Sequence, residues 1–318
     1  DGNGVLTWCL LLSLATYAPM HLARGICSGN ARFGSYSLII GLDGAIRVLS
    51  CAALWIAGVT NIGAYALTIA LSPVVGVLFA AFTGKLKTEP GPEASWAEVT
   101  PNLGWLLLGS LFAAALVNAG PITVDILGHD VPPEDVTRFG NAVIFARIPL
   151  FLFQAVQAAL LPRLARLAAQ RKLSEFKRGL RQLLILVGTV GVLGTVGAFA
   201  IGPWLLELVY EGGIDRRTMT LLTFASALYM LALAIAQAVI ALSGHARVAV
   251  GWCAGFVTFA VVAWLSSNDL YLRVELALVA SSLVSLAIFV VSLKQKMSGN
   301  AVFDDASMID AFAERPLE

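Results

Sequence analysis

Long apolar runs, separated by short polar, glycine- or proline-containing turns, follow one another along almost the whole chain. A membrane-crossing helix needs about 20 predominantly apolar residues. Nine stretches meet that length, at 5–23, 36–58, 62–83, 103–127, 139–161, 183–209, 218–243, 247–266 and 271–293, here called spans A to I. Pro19, Pro73, Pro121, Pro149 and Pro203 fall inside spans. Such breakers are tolerated in a membrane where neighbouring helices or water take over the freed backbone groups. The main polar interruption is 85–102, between C and D, with Glu-Pro-Gly-Pro-Glu at 89–93. It divides the chain into the end of an N-terminal lobe (1–84), a cytoplasmic linker (85–102), a six-helix C-terminal lobe (103–296) and a polar tail (297–318) expected to be poorly ordered.

Composition narrows the class. The chain is 58% apolar and 13% charged, whereas a soluble domain carries about 25% charged residues. That excludes a soluble globular protein, and the apolar content excludes a disordered one. A net charge of +1 gives no basic field for nucleic acid. Cys9, Cys27, Cys51 and Cys253 lie in or beside apolar runs without CxxC spacing, which points to buried, inert thiols.

The loop charges orient the bundle. Arg24, Arg32, Lys85, Lys87, seven cations between Arg163 and Arg181, Arg247, Lys294 and Lys296 all fall on one set of alternate span ends. The other set carries Arg138, Arg216, Arg217 and Arg273. The positive-inside rule puts the richer set, and with it the C-terminus, in the cytoplasm. Nine spans then place Asp1 outside, without initiator Met or signal peptide, so helices are expected to be missing ahead of span A. A repeat suggests how many. The A–B turn reads Ser-Gly-Asn-Ala-Arg at 28–32 and the G–H turn Ser-Gly-His-Ala-Arg at 243–247, six helices apart. Spans A–C would end a first six-helix half, D–I would form the second, and about three spans would be absent. Parallel repeats of this kind carry substrate sites between the halves near the midplane.

Gly25, Gly29, Arg32 and Phe33, followed by Asp43 and Arg47, resemble the fourth and fifth helices of the oligosaccharide flippases of the multidrug/oligosaccharidyl-lipid/polysaccharide (MOP) exporter superfamily. Ala146-Arg147-Ile148-Pro149-Leu150, then Leu161-Pro162-Arg163-Leu164, resemble the eighth helix and its cytoplasmic exit. The resemblance covers about residues 15–295, with two departures: Asp43 stands where Glu is expected, and Phe139-Gly140-Asn141 replaces a Gly-x-Tyr. It implies an all-α, two-lobed bundle of the MOP/MATE kind, in a bacterial cytoplasmic membrane, working by alternating access. The implied cargo is a polyprenyl-pyrophosphate-linked glycan. Membrane lipids and polysaccharide assembly enzymes are the further implied partners.

Charges inside spans are the sharpest chemical signal, since each costs roughly 2.5–3.5 kcal/mol at a helix centre. Arg47 lies about 16 Å into span B, with Asp43 four residues earlier on the same face. The pair either lines a cavity, with Asp43 tuning Arg47 or taking a proton, or neutralises itself and fixes packing. Arg147 has Val143, Ile144, Leu150 and Phe151 at the helically adjacent positions, so no carboxylate of its own helix can pair with it. It binds a substrate anion, for which pyrophosphate matches the planar guanidinium, or snorkels outward. Asp125, near the outer end of span D, is an interface residue or a coupling candidate beside Asp43. Asn118, Asn141, Gln154, Gln157 and Gln237 are amides within spans, whose bland role is inter-helix glue. Of these, Asn141, Gln154 and Gln157 join Arg147, Arg47 and Asp43 as candidate cavity lining. Residues 163–181 form a basic amphipathic stretch expected to lie on anionic lipid.

No histidine has a metal-ligand companion, and neither a phosphate loop nor a hydrolase motif occurs, so no cofactor or enzymatic chemistry is expected. The expected function is flipping of a lipid-linked oligosaccharide or polysaccharide precursor. The alternatives are a cation-coupled multidrug exporter, for which acidic cavity residues would be wanted, a membrane-embedded glycosyl- or acyltransferase, and a non-transporting scaffold.

Overall fold

The computed structural model of the protein describes residues 2–30, 32–88, 96–129, 131–210 and 213–313, with side chains described except at 2–3, 98–99, 152, 154–162 and 299–313. The described residues form ten α-helices in chain order: α1 (Gly2–Gly29), α2 (Phe33–Ile56), α3 (Ile62–Phe82), α4 (Trp96–Leu127), α5 (Pro133–Ala146), α6 (Ile148–Ala169), α7 (Leu173–Val209), α8 (Arg216–Ala241), α9 (His245–Leu265) and α10 (Leu270–Ala313). Eight of them (α1–α4 and α7–α10) are long and apolar enough to cross a membrane. The chain divides into two compact units, 1–93 and 94–318.

Span E is the element that differs most from expectation. It is two helices, α5 and α6, joined at Arg147. Pro149 has no N–H to offer the carbonyl of Phe145, and a proline ring crowds that carbonyl. The Arg147 N–H turns back to Ile144 O at 3.1 Å, and the helix resumes with Phe151 N–H to Arg147 O at 3.1 Å. Three ends also move. Helix α4 starts at Trp96 rather than near 103, and α7 starts at Leu173 rather than near 183. Helix α10 runs to Ala313, through the tail expected to be poorly ordered, with no proline before Pro316 to stop it.

The basic stretch 163–181 is the end of α6, a tight turn with Arg171 at φ 55°, and the start of α7. Its apolar side does not lie on lipid: Leu164, Phe176 and Leu180 are buried within the second unit. The cations remain at the surface.

In the first unit, α3 packs along both α1 and α2, which touch each other much less. In the second, α10 packs along both α8 and α9 in the same way. Each Ser-Gly-x-Ala-Arg turn ends in an arginine that ties it to the third helix of its triplet. Arg32 Nη1 donates to Lys85 O (2.7 Å) and Lys87 O (2.9 Å), just beyond α3. Arg247 Nη1 donates to Gln295 Oε1 (2.8 Å) and Ser292 O (3.4 Å), on α10. The motif is therefore a structural clamp, used twice.

Helix α8 is the centre of the second unit, mostly buried where α7 is mostly exposed. Close approach comes from small residues, as expected where lipid removes the hydrophobic drive between helices. A Cβ at Gly191 of α7 would lie 2.9 Å from the Ala227 methyl of α8, and one at Gly255 of α9 would strike Ser285 and lie 3.1 Å from Ser281 O of α10.

Candidate functional site

Each unit carries one polar constellation built around a predicted arginine. In the first, Asp43 (α2) is buried and accepts from Arg47 Nη2 at 2.8 Å, one turn along the helix. Its other oxygen accepts from Ser72 Oγ of α3 at 2.6 Å. That hydroxyl is also 3.0 Å from Ile69 O, the carbonyl whose helical donor position is taken by Pro73. Arg47 Nη2 also donates to the Tyr17 hydroxyl of α1. All three helices thus meet at one carboxylate–guanidinium pair. The Asp43 side chain is 10% exposed and that of Arg47 35%, so the arginine is the wetter partner.

In the second unit, Arg147 occupies the α5–α6 junction and faces a small, open cavity. Leu116, Val117, Val143, Ala146, Leu150, Leu222, Ala225 and Leu278 make its walls apolar, while Ser226, Tyr229 and Ser282 add hydroxyls. Arg147 is the one charged residue among those lining it. It makes no ion pair among the described residues; Nη2 donates instead to the backbone carbonyl of Val117 on α4. The Tyr229 hydroxyl donates to Ala113 O, one turn earlier on α4, at 3.2 Å.

A buried cluster sits one helical turn from this cavity. Glu275 of α10 is 0% exposed and accepts from the hydroxyl of Thr218 on α8, itself buried. Its second oxygen lies 3.5 Å from Arg217 Nε. Arg217 also reaches Asp269 at 3.2 Å. Asp269 caps α10, and the Leu272 N–H, with help from the Arg217 guanidinium and the Tyr271 N–H, holds its carboxyl below the usual carboxylate range.

The structure thus brings Asp43 and Arg47 together and places Arg147 at a cavity. Asn141 is half-buried but not among the cavity-lining residues, and Asp125 is exposed near the end of α4. The side chains of Gln154 and Gln157 lie outside the described residues. Asn118 is exposed and bonds Ala114 O of its own helix at 2.8 Å, whereas Gln237 is buried. The sequence reading missed Tyr17, Ser72, Ser226, Tyr229, Ser282 and Glu275. Only Glu275 left a signal that could have been used, a carboxylate five residues inside span I.

No protein-family profile matches the chain. It is 26% identical over 301 residues to an uncharacterized protein of Mycobacterium tuberculosis strain H37Rv, covering 89% of this chain and 65% of that protein. A second protein of the same strain is 24% identical over 314 residues, covering 93% and 68%. The chain spans about two thirds of the length of these curated relatives. Among solved structures, a mutant of the Vibrio cholerae MATE transporter VcmN aligns with TM-score 0.74 at 12% identity, over 92% of this chain and 69% of that one. The same transporter in its bent form gives 0.70 at 12% identity over the same shares. A further MATE structure in the bent conformation gives 0.72 at 11% identity, over 93% and 70%. The fold is that of these MATE transporter structures.

Proposed function

We propose that the chain is the greater part of a membrane transporter that flips a lipid-linked oligosaccharide or polysaccharide precursor across the bacterial cytoplasmic membrane by alternating access. The observation that carries this reading is the cavity of the second unit, whose one lining charge is the cation of Arg147 amid apolar walls and three hydroxyl side chains. An isolated guanidinium in a poorly hydrated setting suits a phosphate or pyrophosphate. Arg47, balanced by Asp43, contributes less net charge. The glycan needs a hydrated path, and the polyprenyl tail stays in lipid.

The second reading is a cation-coupled multidrug exporter, favoured by the fold shared with MATE transporters. It calls for a carboxylate at the cargo, and none lines the Arg147 cavity. Measuring lipid-linked saccharides in cells depleted of the full-length protein separates the two. Accumulation of a polyprenyl-pyrophosphate glycan, reversed by the wild type and not by Arg147→Ala, is the expected outcome. Unchanged lipid intermediates with raised sensitivity to cationic drugs would replace the flippase with the exporter.

A further inference from the structure

The partner of Arg147 is unusual in its chemistry. A guanidinium held away from carboxylates donates to Val117 O, a carbonyl in the middle of α4. In an unbroken helix the N–H four residues later would occupy that carbonyl. Position 121 is proline, which has no N–H. Val117 O is therefore a carbonyl that α4 cannot satisfy by itself, and Arg147 supplies the missing donor. Arg147 in turn sits at the junction that Pro149 opens between α5 and α6. One side chain thus ties the proline-containing helix α4 to the interruption between α5 and α6, and Val117 and Arg147 both line the cavity.

We propose that Pro121 is a specificity-determining residue of this anion site: it leaves Val117 O as a built-in competitor for Arg147, which an incoming phosphate or pyrophosphate group must displace. The inference rests on the reading of Arg147 as an anion-binding residue. A neutral ligand, such as a sugar hydroxyl, would exchange one dipole for another at the guanidinium and gain little. An anion makes a charge-assisted, two-pronged contact and gains strongly where water is scarce. The site therefore rejects neutral saccharide and admits the charged linkage of a lipid-linked one. Displacement also removes the tie between α4 and the α5–α6 junction, so occupancy of the site and freedom of α4 are coupled, and by linkage the coupling is reciprocal.

The test uses full-length protein in nanodiscs and inorganic pyrophosphate as probe, measured by calorimetry. Pro121→Ala restores an N–H for Val117 O and releases Arg147. Pyrophosphate should bind roughly tenfold more tightly, the equivalent of one hydrogen bond no longer broken, and the gain should vanish in Pro121→Ala/Arg147→Ala. A second measurement does not depend on the fold of the proline variant. Spin labels at Ile122→Cys and Ile148→Cys, both exposed positions, with all native cysteines replaced by alanine, report the distance across the tie. Pyrophosphate should lengthen or broaden it. Binding that is lost in Arg147→Ala, yet unaltered by Pro121→Ala and without any change in the distance, would overturn the competitor and leave the anion site standing. Binding equal in wild type and Arg147→Ala would overturn both.

Discussion

Asp43 and Arg47 are an ion pair with an internal control. Counting from the two Ser-Gly-x-Ala-Arg motifs, their counterparts in the second triplet are Thr258 and Val262, and Tyr17 corresponds to Ala232. The α8–α10 triplet repeats the packing pattern of α1–α3 without a charge at these positions, so the pattern does not require the pair. Arg47→Val alone leaves Asp43 buried beside Ser72 and should cost about 1–3 kcal/mol, below the cost of breaking a fully buried pair because water reaches the arginine. Asp43→Thr/Arg47→Val, copying the second triplet, should recover most of the lost thermal stability in detergent while complementation of the depleted cells stays lost. Transport by the double variant at the wild-type level would make the pair a packing device only. The pair itself was legible because both members lie on one helix four residues apart. Tyr17 and Ser72 were not, because which hydroxyls of other helices reach a carboxylate is decided by packing that no local pattern encodes. Arg147 stood out as a cation inside a span. Its partner is a backbone carbonyl, which every residue carries, and only Pro121, four positions on, distinguishes Val117.

At the scale of elements, hydrophobic length located the eight helices long and apolar enough to cross a membrane, while the ninth expected span, 139–161, falls on two helices that break beside Pro149. Pro19, Pro73 and Pro203 lie inside continuous helices, whereas Pro149 follows an interruption. A proline alone does not say which outcome applies. At α5–α6 the arginine bonded to Val117 O holds the junction residue against another helix. The early start of α7 was missed because Phe176 and Leu180 were read as the lipid side of a surface stretch, while the protein buries them internally. Contacts between helices rest on small residues. Gly251 and Gly255 of α9 face α10, where Phe289 and Ser285 fill the space a Cβ would need, and Ser285 Oγ donates to Gly251 O at 3.1 Å. Gly255→Val forces these helices apart, an overpacking cost of about 1–3 kcal/mol. The unfolding midpoint of the purified protein should fall by about 5 °C, with Gly255→Ala falling less. An unchanged midpoint in Gly255→Val would mean that α9 and α10 are not seated this closely.

For the whole molecule, the distribution of cations makes a directional claim. Within the second unit, the α6–α7 turn, the α8–α9 turn and the region of Lys294 and Lys296 lie at one end of the helices; Lys296 Nζ reaches Ser243 O at 3.2 Å across that end. At the other end α8 and α10 begin side by side, where Arg217 meets Asp269 and Glu275. The first end carries the seven cations of 163–181 with Glu175 as the one acid in that stretch, while at the second Arg138 pairs with Asp135 at 2.8 Å and Glu134 at 3.5 Å, as Arg217 does with its own acids. The positive-inside rule predicts that this unbalanced positive end faces the cytoplasm. Two exposed positions report the two ends, Lys172 and Glu134, with side chains 53% and 81% exposed. In a background free of native cysteine, a membrane-impermeant maleimide should modify Lys172→Cys in inverted vesicles and not in intact spheroplasts. Glu134→Cys should react in spheroplasts and not in inverted vesicles. The reverse pattern would turn the bundle over and direct the proposed flipping inward. Modification of both positions from one side would mean that α5 and α6 do not cross together as one interrupted span, and the Arg147 junction would then lie in a re-entrant pair rather than in a crossing.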